Sequence, residues 1–393
     1  MILGRDRLRH CDPGGGIGQA LEQRPILAVK PGCSISKARK PACGSPELVA
    51  GALSPLWCGR LAVYDGAKDF KDDPVHHFRG LEPLPQDQRG AAVALGNFDG
   101  VHFGHRAILQ AARDAGGMLG VVTFEPHPRS ILGKPAQSFR LTSAAGKARA
   151  LADVGVELLV EVPFSRAFAS LPPEEFVRQV LVDTVGASHV VIGFDFRFGA
   201  DRAGTAETMQ AMGQQHGFGV TVVEKVQADD GAAFSSTAIR EHLGAGRPLE
   251  AAQMLGRWWE IDGVVQAGHQ RGRTIGFPTA NLTLGNLLEP ALGVYAVRCS
   301  ISGGSIGEGN DLRWYDAIAN LGRRPTVDGE TLLLEVHVFD FEGDLYDKPM
   351  RVQLTGFIRP ERKFDSFQLL RDQIAADCDT ARAMLATTPI DPN

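Results

Sequence analysis

Apolar residues along the chain fall into two textures. Between positions 61 and 226, short and nearly continuous apolar runs at 91–95, 120–124, 158–162, 190–192 and 220–223 alternate with stretches of helical spacing. Ile108, Ala111, Ala112 and Ala115 share one helical face, and Phe176, Val177, Val180 and Leu181 share another. Strands apolar on both faces, separated by amphipathic helices, predict a doubly wound parallel α/β sheet covered by helices. Ligands of such sheets bind beyond the carboxyl ends of the strands, so the chemistry is sought there.

A short helix is expected at about 236–243, followed by the link Gly244-Ala245-Gly246-Arg247-Pro248, and beyond it the texture changes. From 260 to 358, β runs at 294–297, 317–320, 332–339 and 350–354 are separated by turn residues, with no helix of useful length. This is the pattern of a closed or nearly closed antiparallel β-barrel. A terminal helix is expected over about 366–385, with Phe367, Leu370, Ile374, Cys378, Ala381 and Leu385 on the stripe that packs on the barrel. The expected domains are therefore 61–246 and 247–393. Residues 1–60 are rich in Gly and Pro and sustain no period, so a disordered extension is expected, either a targeting arm or the product of an upstream translation start. The run Gly14-Gly15-Gly16-Ile17-Gly18 follows no strand and opens no clear helix, which argues against a dinucleotide fingerprint.

Composition narrows the classes. At 393 residues the chain has room for about two to three domains. A net charge of −5 argues against a broad nucleic-acid surface and leaves room for a local phosphate pocket. No run approaches the ~18 apolar residues of a membrane span. Of the six cysteines, Cys11, Cys33, Cys43 and Cys58 lie near the start without a Cys-x-x-Cys pair, which gives little support to a zinc site. Cys299 and Cys378 read as small buried hydrophobes. No secretory signal is recognisable, and a reducing cytoplasm is the expected compartment.

Candidate chemistry begins at Gly96-Asn97-Phe98-Asp99-Gly100-Val101-His102-Phe103-Gly104-His105, where the first of these strands ends and a helix begins. Two histidines three apart at a helix start can face one volume, where free N–H groups and the helix dipole favour phosphate. Gly104 permits close approach, and imidazoles that donate to phosphorus oxygens would stabilise charge developing during transfer. The plainer alternative is a pair of capping histidines. In Phe234-Ser235-Ser236-Thr237-Ala238-Ile239-Arg240, hydroxyls at a helix start followed by an arginine make a second phosphate cradle or an ordinary N-cap.

The barrel region has no P-loop sequence. In the segment from Gly268 to Asn281, Thr279 and Asn281 face one way if extended, and their oxygens suit a Mg²⁺ that bridges nucleotide phosphates. Arg271 and Arg273, flanking Gly272, could add phosphate contacts; a β-turn followed by a polar edge strand is the alternative. Glu335, within the apolar run 332–338, is a candidate general base for a substrate hydroxyl attacking a γ-phosphate, unless Glu335 and His337 simply face water.

The first region resembles the nucleotidyltransferase module of bacterial FAD synthetases at 96–105, at Thr123-Phe124-Glu125-Pro126-His127-Pro128, at Gly193-Phe194-Asp195-Phe196-Arg197-Phe198-Gly199 and at 235–240. The resemblance implies that His102 and His105 assist transfer of AMP from ATP to FMN. It implies ATP contacts from Gly96, Phe98, Asp99, Gly104, Ser235, Ser236, Thr237 and Arg240, and nucleotide or flavin contacts from Phe124, Pro126 and Asp195. The second region resembles the riboflavin kinase module at 272–281, 320–326, 334–337, 343–346 and 357–361. That resemblance implies Mg²⁺-ATP at Thr279 and Asn281 with Arg271, Gly272 and Arg273 nearby, activation of the ribityl hydroxyl by Glu335, and a flavin or nucleotide contact at Arg359. The chain departs from the pattern at Arg247, where similar sequences often carry an acidic residue, and at Asp347, where the family commonly has glycine. Together the resemblances imply a transferase that phosphorylates riboflavin to FMN and adenylylates FMN to FAD, with small-molecule partners, no nucleic acid and no membrane. An oligomer is compatible with the sequence. An adenylyltransferase for another phosphorylated metabolite and a non-catalytic flavin-binding regulator are the rival readings.

Overall fold

The computed structural model describes residues 75–133, 138–227, 231, 233–266, 276–301, 313–326 and 329–392. The expected extension 1–60, its four cysteines, and Arg271, Gly272 and Arg273 lie outside the described residues.

The first part is a six-stranded parallel sheet in the order β1-β4-β3-β2-β5-β6. Its strands are β1 (His76–Arg79), β2 (Ala92–Leu95), β3 (Leu119–Glu125), β4 (Leu158–Pro163), β5 (His189–Gly193) and β6 (Gly219–Val223). The five expected strands are present. The additional edge strand β1 reads His-His-Phe-Arg and is mostly exposed, so it carries no apolar run to announce it. Alternate residues of the central strands feed two cores. Ala94, Val121, Leu159 and Val191 pack beneath helices α1 (Phe103–Asp114) and α3 (Ala144–Ala152), which follows the short α2 (Pro128–Leu132). Val93, Val122, Val160 and Val190 pack on the other face against α4 (Arg166–Ala169), α5 (Pro173–Phe176) with its π-helical continuation Val177–Val185, and α6 (Ala206–His216). On α1 the buried positions are Leu109 and Ala112, whereas Ala115 is the exposed C-cap.

From β2 the chain runs to one side of the sheet, through β3 and β4, and then crosses to β5 on the other side. The carboxyl ends of β2 and β5 therefore flank a topological switch point, where an open α/β sheet leaves a crevice.

Helix α7 (Ser236–Gly244) and helix α8 (Pro248–Leu255) lead to the second part, and the expected divide at 246/247 falls between them. Arg247 donates from Nε to His242 Nδ1 at 3.1 Å and lies 3.8 Å from Glu250. The second part is an antiparallel sheet ordered β7-β12-β9-β10-β11-β8. Its strands are β7 (Trp259–Val264), β8 (Ala280–Thr283), β9 (Gly293–Ile301), β10 (Arg313–Thr326), β11 (Gly329–Val338) and β12 (Pro349–Pro360). A bridge between Gln266 and Asn281 brings the two edges together, so the barrel is nearly closed. Its interior is filled by Tyr295, Val297, Leu321, Leu334, Val336 and Val352 among others.

The terminal helix α9 (Phe367–Thr387) covers the outer face, where Cys378, Ala381 and Leu385 pack on Val294, Ala296 and Ile318. Arg298 of β9 donates to the carbonyls of Leu385, Thr388 and Pro389, satisfying groups that a helix end leaves open. Phe367 departs from the expected stripe: at the first turn of α9 it is 80% exposed, beyond the part of the helix that meets the barrel. Asp347 adopts φ +59, a left-handed conformation that Asp tolerates better than most residues and glycine best of all, which accounts for a glycine preference at this turn.

Candidate active sites

The crevice at the switch point is a cavity of about 430 Å³. The chain leaves β2 at Gly96 and enters α1 at Phe103. Between them Phe98 (φ +48) and Val101 (φ +46) are fully buried non-glycine residues in the left-handed region. Such conformations cost on the order of 1–3 kcal/mol each and persist only where the surroundings over-determine them. Phe98 packs its ring at 5.1 Å on His105. Asp99 anchors the loop: its carboxylate accepts from the Leu141 N–H at 2.9 Å, the Thr142 N–H at 3.1 Å and the Arg240 guanidinium at 2.6 Å.

His102 is the N-cap of α1, and its Nδ1 accepts from the His105 N–H at 3.3 Å. With Nδ1 an acceptor, the neutral ring carries its proton on Nε2 and donates from there. The rings of His102 and His105 stack at 3.7 Å. Burial lowers His102 to about 4, against the pull of Asp99 and with help from Arg240 and Arg257. Burial, then His102, Arg257 and Arg240, hold His105 well below its ordinary value. Both rings are thus neutral hydrogen-bond donors at physiological pH. A Cβ on Gly104 would lie 3.1 Å from the His102 ring and from the Phe234 carbonyl oxygen, so glycine allows the two walls to close.

The second cradle meets the first across the cavity. Ser235 caps α7 by accepting from the Ala238 N–H, and Ser236 donates to the Asp99 carbonyl at 2.8 Å. Gly96, Phe98, Asp99, His102, Gly104, His105, Asp195, Ser235, Ser236 and Arg240 all line this one cavity. Three expected contacts are not brought to its lining. Thr237 is exposed on the first turn of α7, and Pro126, after a cis peptide bond, is also exposed. Phe124 belongs to the core, where its ring packs with Phe164, Phe168 and Phe176, because its strand position points away from the crevice. The cavity instead adds Asn97, His127, Arg129, Phe194, Lys225 and Phe234. Most of these follow the ends of β2, β3, β5 and β6, so the strand-end rule applied to every strand would have found them. His127 repeats the logic of His102: its Nδ1 accepts from the Arg129 N–H at 3.1 Å, and burial lowers it to about 4.

On the barrel, antiparallel register places Asn281 of β8 opposite Glu335 of β11, and Glu335 opposite Asn320 of β10. Opposed residues share a face, so these three side chains form one row, with Thr279 two residues before Asn281. The neighbouring residues Ala280, Leu282, Leu334 and Val336 point into the core, which puts the row on the outer face. Asn281 is only 6% exposed there, and the Glu335 carboxylate is paired with Arg324 from four residues beyond Asn320. His337 is hydrogen-bonded to the Pro278 carbonyl at 2.8 Å, which ties the residues before β8 to β11. A hydroxyl, an amide oxygen and a carboxylate form a hard oxygen set that fits Mg²⁺ completed by phosphates and water. Among the described residues no group of three or more His, Cys, Asp or Glu could hold a metal without such help.

Asn320 also donates to Glu361 at 3.4 Å, just before a hollow of about 400 Å³ lined by Arg362, Lys363, Phe364, Asp365 and residues of α9. Arg359, beside it, is committed to Asp377 of α9 through bonds of 2.7–3.1 Å.

Comparison with known proteins follows the same division. A family model for FAD synthetase matches residues 84–238 and one for riboflavin kinase matches residues 255–385. The bifunctional riboflavin kinase/FMN adenylyltransferase of Escherichia coli K12 is 39% identical over 315 residues, 79% of this chain and 98% of that protein. The protein of the same description from Bacillus subtilis is 36% identical and covers 75% of this chain and 92% of its own. A crystal structure described as a macrolide-efflux protein from Streptococcus pneumoniae superposes with a TM-score of 0.67 at 34% identity, covering 78% of this chain and 98% of its own. Among the described residues no helix is long and apolar enough to cross a membrane. A parallel sheet with paired imidazoles at its switch point, followed by a barrel with an Asn–Glu row, and relatives matched over nearly their whole length, mark this chain as a member of the bifunctional riboflavin kinase/FMN adenylyltransferase family.

Proposed function

We propose that the chain is a transferase that phosphorylates riboflavin to FMN on the barrel and adenylylates FMN to FAD in the sheet cavity, with release of pyrophosphate. The observation that carries the second step is the pair of stacked imidazoles at the start of α1, opposite the start of α7. Adenylyl transfer breaks the bond between the α- and β-phosphates of ATP as an FMN phosphate oxygen attacks the α-phosphorus. His102 and His105 donate to oxygens whose charge grows in that transition state, and two helix N-termini supply further donors. Arg240 and Ser236 fix the loop through Asp99, and Asp195 and Phe194, which follow β5, line the cavity for the second nucleotide.

On the barrel, Thr279 and Asn281 would hold Mg²⁺ together with the ATP phosphates, and the ion would supply neutralisation of phosphate charge there. Glu335 takes the proton of the ribityl 5′-hydroxyl as it attacks the γ-phosphate, which requires Arg324 to release the carboxylate or to share it. Arg359, tied to Asp377 of α9, contributes a flavin or nucleotide contact. Arg271, Gly272 and Arg273 add phosphate contacts. The modules divide at 246/247, and the enzyme works in the cytoplasm, where ATP is supplied.

Chromatography of riboflavin incubated with Mg-ATP and the purified chain tests the reading. FMN is expected first and FAD after it. Flavin that binds yet stays unchanged would point to the non-catalytic regulator.

A further inference from the structure

The sheet and the barrel meet at residues 139–149, and this segment serves both sides at once. Toward the cavity, the Phe139 carbonyl accepts from Arg240 at 2.7 Å, the Leu141 and Thr142 N–H groups hold Asp99, and Gly100 donates its N–H to Thr142 Oγ1 at 3.4 Å. Arg140 grips Glu125 through two bonds of 2.6 and 2.9 Å. Buried Lys147 donates to Thr123, whose hydroxyl donates to the Asn97 carbonyl. Toward the barrel, the Trp259 indole N–H donates to the Leu141 carbonyl at 2.7 Å. Ser143 donates to Asp262 at 2.9 Å, and Arg149 bonds both Glu260 and Asp262 at 3.0 Å. The Leu288 N–H donates to the Arg140 carbonyl at 2.7 Å.

The Leu141 residue is therefore held by its carbonyl from β7, while its N–H holds Asp99. Asp99 sits between Phe98 and Val101, the two strained positions of the loop that carries the histidines. A strained loop keeps its geometry only while its anchors hold. We propose that Trp259, a barrel residue, is a positioning residue for adenylyl transfer. Through the Leu141 backbone it fixes Asp99, and through Asp99 it fixes Arg240 and the loop bearing His102 and His105. The barrel thus completes the site on the sheet. This inference rests on reading the sheet cavity as the adenylyl-transfer site.

The test uses the full chain. Trp259→Phe keeps an aromatic ring in the core but removes the indole donor together with the volume of its five-membered ring, leaving the buried Leu141 carbonyl without that partner. Expected is a five- to tenfold fall, roughly, in kcat/KM for ATP when added FMN is converted to FAD, carried by a higher KM for ATP. Riboflavin phosphorylation in the same preparation should stay within about twofold. A smaller folded fraction would lower kcat and leave KM alone, so the split separates positioning from stability. Arg149→Met, which loosens the same seam from outside the barrel core, is expected to give the same selective loss, and Arg149→Lys to recover much of it. If Trp259→Phe does not fold, the Arg149 pair decides. Adenylylation within twofold of the parent, or an equal loss of both activities, overturns the proposal. Persistent FAD formation by His102→Ala would instead overturn the reading of the cavity, a separate result.

Discussion

The two candidate sites reach their geometry by different physical routes. In the sheet cavity the reacting imidazoles, His102 buried and His105 half-buried, are held neutral and fixed by a strained loop whose anchors come from α7 and the 139–142 segment. On the barrel the row Asn281–Glu335–Asn320 is set by strand register alone, and its carboxylate lies at an accessible surface in the grip of Arg324. The first arrangement is preorganised and depends on many distant contacts. The second needs only correct pairing of three strands, and substrate must displace or share an ion pair already present. Damage to packing should therefore reach adenylyl transfer sooner than phosphorylation.

The sharpest way to break this comparison is Glu335→Gln. Loss of the base is expected to slow riboflavin phosphorylation by about 10²–10⁴-fold while added FMN still becomes FAD, as followed by flavin chromatography. Survival of FMN formation would remove Glu335 from the chemistry. His105→Ala is the converse, with FAD formation expected to fall by about 10²–10³-fold and FMN to accumulate at its usual rate. Loss of FMN formation as well would show that the two sites are not independent.

The smallest effect is that of pH. Burial depresses His102 and His127 to about 4 in the folded chain, below the 6.5 of an exposed imidazole. Between these values the unfolded chain binds more protons, so stability is full above 6.5 and is lost as pH falls toward 4. FAD formation should accordingly be level from pH 7 to 8 and decline below about 5 as the rings charge. His127→Asn should soften the acid loss of thermal stability. A stability profile unchanged by that substitution would show that His127 titrates normally.

How much of this was legible follows from what each feature depends on. The five central strands announced themselves because both faces are buried, whereas β1 (His-His-Phe-Arg) has no such run and was added by pairing with β4. His102, Gly104 and His105 were readable because a strand end, glycines and a helix start are local patterns. Phe124 packs in the core and not on the cavity lining, and its place in the motif says nothing of which face of β3 it occupies. The partners of Asp99 lie 42 to 141 positions away, and no local signal connects them.

The sequence by itself determined the two textures, the strand–loop–helix that carries the histidines and the presence of Asn281 and Glu335 in β segments, because periodicity and turn chemistry act over a few residues. Tertiary structure decided which of these face each other. The switch point gathered the ends of β2 and β5 into one cavity, register set Asn281 beside Glu335, and Trp259 reached Leu141 across the seam. Burial, which neutralises the histidines and gives the Asp99 anchor its grip, is a property of the assembled cores and of no single segment.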